Sequence, residues 1–237
     1  LSVAMVGCSL TCKFCFNAPL SQYGEQRGMI SSLGKIVPPS VLVKAAQQAN
    51  CSSISFTYTE PSLYLEYILA VAEVARCAQL PLVLVTNGYL TNWTCEQLGD
   101  WVDALNIDLK SFRDEFYQSI CGAHLQPVLD TINYFVARGT HVEISTPLIT
   151  GLNDSPEELT DLTKYLCDER MDLPWHVLPV QPAYRMQDWL PTRIDSLKRA
   201  VEIGKAAGLR SVYCEDLGIV PGKESHGHQN GTSIYLS

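Results

Sequence analysis

Apolar positions in this chain alternate between two rhythms. Short β-branched or aromatic runs are followed by longer stretches with apolar residues at helical spacing. Residues 1–6 read as a strand, and Gly7 leads out of it into a cysteine-rich loop. Residues 39–49 predict a helix with proline at its start. Residues 53–58 predict a strand, and 62–78 a helix carrying Leu63, Ile68, Val71 and Val74. A buried strand at 81–86 closes on Asn87-Gly88, and a helix at 91–101 precedes a strand at 104–109. Residues 126–138 predict a helix ended by Gly139, then comes a strand at 141–148. A helix at 155–168 opens on a serine cap with acids in its first turn. A strand at 175–180, a helix at 192–207 and a last strand at 210–214 complete the series.

Strand–helix alternation implies a parallel sheet wound by right-handed crossovers. Six or seven such units are too few for a closed eight-unit barrel. The expectation is an α/β fold, a partial (β/α)6-type open TIM barrel. It would cover residues 1–216, with 217–237 as an extended or mobile tail. Sites in such folds lie at the C-terminal ends of the strands, so the residues after each strand matter most.

Composition narrows the class. Hydrophobic residues make up 46% of the 237 and charged residues 18%, enough for a sizeable core. The net charge of −8 argues against nucleic-acid or membrane-surface binding through bulk electrostatics. No apolar run reaches the length of a membrane span and no signal peptide is visible. Position 1 is Leu rather than Met, which reads as a chain whose true N-terminus lies upstream. Nine irregularly spaced cysteines fit a reducing compartment such as the cytoplasm better than a disulfide scaffold. In that setting the sequons at Asn50, Asn92 and Asn230 carry no meaning. Cys51, Cys77, Cys95, Cys121, Cys167 and Cys214 form no further C-x-x-C and read as small core hydrophobes.

The stretch Cys8-Ser9-Leu10-Thr11-Cys12-Lys13-Phe14-Cys15 stands apart. Its C-x3-C-x2-C spacing suits zinc poorly, because structural zinc sites recruit four protein ligands in pairs. Iron–sulfur clusters are held by cysteine thiolates, commonly four. Three would leave one iron of a cubane open for a substrate or cofactor. The ordinary alternative is three structural cysteines.

The other strand ends carry polar chemistry. Glu60, in Thr57-Tyr58-Thr59-Glu60-Pro61, is able to accept from an ammonium group; otherwise this is a helix start with Thr59 as cap. Thr86-Asn87-Gly88 reads alone as a turn. Asp108 and Lys110 share one strand face, an acid suited to ribose hydroxyls and a lysine suited to a carboxylate. Glu143 is expected to face the barrel interior and the cofactor, or to pair with Lys110. His176 is a candidate contact with a core histidine as the alternative. Gln181 hydrogen-bonds but cannot titrate.

With Phe14 just before its last cysteine, the triplet resembles the signature of the radical S-adenosylmethionine (SAM) superfamily. The resemblance implies a partial barrel in which Cys8, Cys12 and Cys15 hold a [4Fe-4S] cluster and SAM chelates the open iron. One electron then cleaves the sulfonium to a 5′-deoxyadenosyl radical, which abstracts hydrogen from a substrate. It implies that Glu60 meets the amino group of SAM, with Tyr58 and Thr59 where the family has two glycines. It also implies SAM-orienting roles for Thr86, Asn87, Asp108 and Lys110, with Phe14 near the adenine. Asp108-Leu109-Lys110 and the loop at 147–154 resemble segments of glycyl-radical-enzyme activases. Gln181 stands where the family pattern has a histidine. No side chain is assignable as the group acting on the substrate.

Several segments together narrow the resemblance: Gly7 to Asn17, Tyr58-Thr59-Glu60-Pro61-Ser62, Val85-Thr86-Asn87-Gly88-Tyr89, Asn106 to Lys110, Cys121-Gly122-Ala123 and Pro174-Trp175-His176. They resemble the AmmeMemoRadiSam-system proteins, relatives of the pyruvate formate-lyase activating enzymes, over about residues 1–222. That family commonly carries a cysteine-containing extension before the first strand and often a C-terminal cysteine pair. This sequence instead places His226 and His228 near its end, where a mobile tail is favoured over a metal site. The expected partners are an electron donor such as flavodoxin or ferredoxin and a small-molecule or protein substrate. The second reading is a glycyl-radical-enzyme activating enzyme, and the third a non-catalytic electron-transfer protein.

Overall fold

The computed structural model describes residues 1–23, 36–167 and 172–219. Seven strands form one sheet: β1 (Ser2–Ala4), β2 (Ile54–Thr57), β3 (Leu82–Thr86), β4 (Ala104–Asp108), β5 (His141–Leu148), β6 (Trp175–Pro179) and β7 (Val212–Tyr213). Every neighbouring pair is parallel and the order is sequential, β1 to β7. The first and last strands do not pair, so the sheet is open. The expected α/β partial barrel is therefore present, with seven strands.

Between the strands lie α1 (Ala18–Ser21), α2 (Pro39–Gln48), α3 (Leu65–Cys77), α4 (Asn92–Leu98), α5 (Asp114–Phe116), α6 (Gln126–Ala137), α7 (Pro156–Leu166) and α8 (Ile194–Ala206). Sequential order with right-handed crossovers puts the helices on one side of the sheet. Burial follows that layout. Ile54 and Phe56, Leu82 and Leu84, and Leu105 and Ile107 are buried, while the residues between them are half-buried. Sheets covered on both faces read as continuous apolar runs. Here the second face is half-buried, carries Ser55, Thr57, Asn106 and Asp108 beside Val83 and Val85, and forms the lumen.

Strand register layers that lumen. Asp108 pairs with Ser145, Ser145 with His176 and His176 with Tyr213, making one row across four strands. Asn106 and Glu143 form the row beneath, nearer the N-terminal ends of the strands. Glu143 thus lies on the same sheet face as Ser145 and His141.

Local chemistry explains most boundaries. Pro39 opens α2, and Ser155 caps α7 by accepting from the Glu158 amide at 3.2 Å. The helix expected over 62–78 begins instead as a 3-10 turn, Pro61–Tyr64. Its cap is Glu60, which accepts from Ser62 N at 3.0 Å, whereas Thr59 donates to the Met5 carbonyl at 2.7 Å. The last strand is shorter than expected because Cys214 turns to pair antiparallel with Ile219. Residues 217–219 therefore contact the barrel, while His226, His228 and Asn230 lie outside the described residues. The helical segment of α5 and the π-helical turn Tyr117–Cys121 has no counterpart in the sequence reading. Among the described residues no helix is long and apolar enough to cross a membrane.

Candidate active site

The cysteine loop leaves β1 at its C-terminal end and is closed by α1. Gln22 Nε2 donates to the Leu10 carbonyl at 2.9 Å, and the Cys15 sulfur lies 3.2 Å from Ser21 Oγ. The loop entrance is pinned by Tyr64, whose hydroxyl donates to the Val6 carbonyl, and by Thr59 on Met5. Tyr58 adopts φ +70°, left-handed backbone in which a side chain is strained, at one of the two positions where glycines were expected. Asn17 Nδ2 holds its carbonyl at 2.8 Å.

Cys8 joins this loop to the end of β3. Its sulfur accepts from Leu10 N at 3.4 Å and lies 3.5 Å from Asn87 Nδ2, which also donates to Ser9 Oγ at 3.1 Å. The Asn87 amide donates to Glu60 Oε2 at 2.9 Å, and the Thr86 hydroxyl donates to both Glu60 oxygens. Glu60 is fully buried. Burial pushes its carboxyl up, opposed by the donors from Asn87, Ser62 and Thr86. Burial likewise pushes the Cys8 thiol up to about 11.

Cys12 lies near the Lys110 ammonium, just beyond the end of β4. It is buried and hydrogen-bonded to Cys121, which, helped by the nearby Lys110 ammonium, outweighs burial and brings its thiol down to about 7. The same contact, with burial, pushes Cys121 up. Lys110 is buried and pairs with Asp108 at 2.9 Å. Burial works against its charge, but Asp108 and the sulfurs of Cys12 and Cys121 hold its pKa well above the usual lysine value. Its ammonium also lies 6.0 Å from the Phe14 ring centroid, and Phe14 packs on Phe116. The segment after β4 is held by its surroundings. Tyr117 Oη accepts from Lys110 N at 3.0 Å, Asn153 Nδ2 donates to the Lys110 carbonyl at 2.7 Å, and Glu158 accepts from Ser111 and Phe112.

Cys8, Asn87, Thr86 and Glu60 thus form one hydrogen-bond network against the cysteine loop, and Asp108, Lys110 and Phe14 a second contact group with Cys12 nearby, while Cys15 lies on Ser21. The others lie elsewhere. Glu143 does not pair with Lys110, because Asp108 occupies that ammonium. Glu143 accepts instead from His176 Nε2 at 2.6 Å and pairs with His141 at 2.9 Å. The His176 contact, assisted by His141, brings the Glu143 carboxyl down to about 2. His176 stacks on Tyr213 with centroids 5.0 Å apart. Gln181 is exposed beyond the end of β6. Sequence reading missed Cys121, Tyr117 and Asn153 as supports. Thr11 and Cys121 are 110 residues apart, so spacing carried no signal, and Asn153 was marked only as part of the 147–154 loop.

The donor set fits an iron–sulfur cluster. Its soft ligands are three thiols on one loop, and backbone and amide donors already face the Cys8 sulfur. Among the described residues no three His, Cys, Asp or Glu side chains converge tightly enough to hold a single ion.

The radical SAM superfamily model matches residues 2–163. The chain belongs to the radical SAM superfamily. That is a superfamily of enzymes whose members generally use a [4Fe-4S] cluster and SAM. An uncharacterised protein of Methanocaldococcus jannaschii is 33% identical over 225 residues, 94% of this chain and 65% of that protein. The chain thus spans less than two thirds of that relative. The pyruvate formate-lyase 1-activating enzyme of Escherichia coli is 20% identical over 221 residues, covering 87% of this chain and 89% of that enzyme. In fold, the chain is similar to Streptococcus suis SuiB solved with bound S-adenosylmethionine. The TM-score is 0.69 at 16% identity, over 90% of this chain and 50% of that one.

Proposed function

We propose that this chain is the catalytic core of a radical SAM enzyme, with Cys8, Cys12 and Cys15 holding a [4Fe-4S] cluster whose fourth iron takes SAM. The observation that carries this reading is the tie of Cys8 to Asn87 and the approach of the Lys110–Asp108 pair to Phe14, which brings the thiol loop to the polar ends of β3 and β4. When bound, the cluster supplies the electron that reductively cleaves SAM into methionine and a 5′-deoxyadenosyl radical, which takes hydrogen from the substrate.

The chain's own residues bind, orient and exclude water. Lys110 presents a fixed positive charge to the SAM carboxylate. Asp108, half-exposed in the lumen, accepts from ribose hydroxyls or the SAM ammonium. Asn87 keeps its amide against the Cys8 sulfur because Glu60 holds its backbone. Thr86 and Glu60 therefore orient SAM through Asn87 as well as through the shape of the β3 end. Phe14 supplies an apolar wall for the adenine. Thr59 fixes the loop entrance, Glu143 and His176 form the polar floor of the lumen, and Gln181 lies at its rim. A flavodoxin or ferredoxin delivers the electron, and the nine free cysteines suit a reducing compartment.

A second reading, a glycyl-radical-enzyme activating enzyme acting on a protein backbone glycine, is favoured by the similarity to the E. coli activating enzyme along most of the chain. Cluster assignment is tested by iron and sulfide analysis after anaerobic reconstitution. The expected result is four of each in the wild type and a loss in each Cys→Ala variant at 8, 12 and 15. Retention of the full count by all three variants would sink it. Electron paramagnetic resonance after incubation with candidate glycyl-radical partners separates the two substrates, since only the activase reading yields a protein glycyl radical.

A further inference from the structure

We propose that the loop at residues 181–191 is a latch on the cysteine loop. The Arg185 amide, docked on the Lys13 carbonyl, is a positioning contact that holds the segment between Cys12 and Cys15 in its ligating conformation. Latch closure and cluster binding therefore stabilise each other. The inference rests on the cluster assignment above.

The segment between β6 and α8 is built with its ends together. Thr192 N donates to the Val180 carbonyl at 3.0 Å, and Thr192 Oγ1 accepts from Val180 N at 2.8 Å. The Thr192 hydroxyl also donates to the Leu148 carbonyl, which ties this neck to the end of β5. Residues 181–191 are thus a compact loop of the Ω type. Its internal turns are set by Met186 N on the Ala183 carbonyl at 2.8 Å and Trp189 N on the Met186 carbonyl at 3.3 Å. Within 181–191 Met186 alone is buried. Tyr184 takes left-handed backbone at φ +49°, which costs free energy in a residue with a side chain. That bend precedes the Arg185 amide, which donates to the Lys13 carbonyl at 2.9 Å.

This contact crosses the mouth of the barrel. Four strands separate β6 from β1 in the sheet, and the curl of the sheet brings the loop of one to the loop of the other. Lys13 is gripped from the β4 side as well. Its amide donates to the Ile120 carbonyl at 2.9 Å, and Thr11 N donates to the Cys121 carbonyl at 2.9 Å. Gly122 follows at φ +70°, where a Cβ would lie 2.5 Å from Thr11 Oγ1, so this grip has no slack. The N–H and the C=O of Lys13 are thus committed to the segments after β4 and after β6. Lys13 sits between two of the three cysteines assigned to the cluster, so fixing its peptide groups fixes their spacing. A chelating loop binds more tightly the less backbone freedom it has to give up on binding. By reciprocity, a bound cluster tightens the latch by the same factor.

The test compares wild type with two variants. Arg185→Pro removes the donating N–H. The second replaces residues 182–190 by a short glycine bridge, which the closed neck at Val180 and Thr192 permits. Hydrogen exchange is followed by mass spectrometry on wild-type peptides spanning residues 183–189, before and after anaerobic reconstitution. Exchange is expected to be about fivefold slower in the reconstituted protein, the factor set by one backbone hydrogen bond. Both variants are expected to take up iron and sulfide and to release the iron to a chelator about fivefold faster than wild type. A contact that only supports the fold would protect the loop equally in both forms, so equal exchange with and without the cluster would overturn the proposal. Unchanged iron release from either folded variant would overturn it as well. If Arg185→Pro does not fold, the glycine-bridge variant decides alone. Failure of the wild type to take up iron would instead strike at the cluster assignment.

Discussion

The Thr86 hydroxyl donates to both carboxylate oxygens of Glu60, at 2.9 and 3.0 Å, locking the end of β2 to the end of β3 inside the protein. With Ser62 N and Asn87 N, the hydrogen-bond partners of this buried carboxylate are all donors. A Glu60→Gln substitution sets an amide NH2 against those donors and leaves buried groups unsatisfied. It is expected to destabilise the apoprotein by about 2 kcal/mol in urea denaturation. Asn87, which depends on Glu60 for its backbone position, is expected to lose order with it.

Asp108 and Lys110 are unequal partners. The lysine is buried and the aspartate is half-exposed. Asp108→Asn leaves an ammonium without its carboxylate in a dry site and is expected to cost about 3 kcal/mol. Lys110→Met removes the buried charge and leaves an aspartate that water reaches, so it is expected to cost clearly less. Denaturation midpoints of the two variants check the order. The reverse order would mean that the salt bridge is not organised as described.

The fit of Gly122 against Thr11 is tested against a glycine with the same backbone and no neighbour. Gly139 has φ +76° with nothing within 4 Å of the missing Cβ. Gly139→Ala is expected to cost about 1 kcal/mol from backbone strain alone. Gly122→Ala adds a collision with Thr11 Oγ1, and its melting temperature is expected to fall further, with less iron retained on reconstitution.

Glu143 gives the protein a defined acid response. The folded carboxyl titrates at about 2, below its ordinary value, because His176 and His141 favour the ionised form. Its contribution is present above the unfolded pKa, about 4.3, and is lost as pH falls toward the folded value. The group is partly open to solvent, which holds the contribution to about 1 kcal/mol. Urea denaturation of the apoprotein at about pH 5 and about pH 3 is expected to show the wild type losing roughly that much more than Glu143→Gln.

Much of this architecture was legible in the sequence because strand and helix periodicities differ and because Pro39, Ser155 and Gly139 mark helix ends. The lumen face was legible through the polar residues alternating along β4 and β5. Partner choice was not. Lys110 lies within reach of Asp108 two residues away, yet Glu143 was an equal candidate on charge alone; register sent Glu143 to His176 instead. Thr59 read as the cap, but its hydroxyl donates to the Met5 carbonyl and Glu60 caps the turn instead. Cys121 read as a core hydrophobe, and its burial bears that out, but the π-helical turn that brings it to Cys12 has no distinctive local pattern.

The most direct test of the radical SAM assignment is chromatographic. The protein is reconstituted anaerobically with iron and sulfide, reduced with dithionite and incubated with SAM, beside a Cys12→Ala control. The wild type is expected to form 5′-deoxyadenosine and the variant none. A wild-type cluster that persists without cleaving SAM, or deoxyadenosine formed equally by Cys12→Ala, would contradict the assignment.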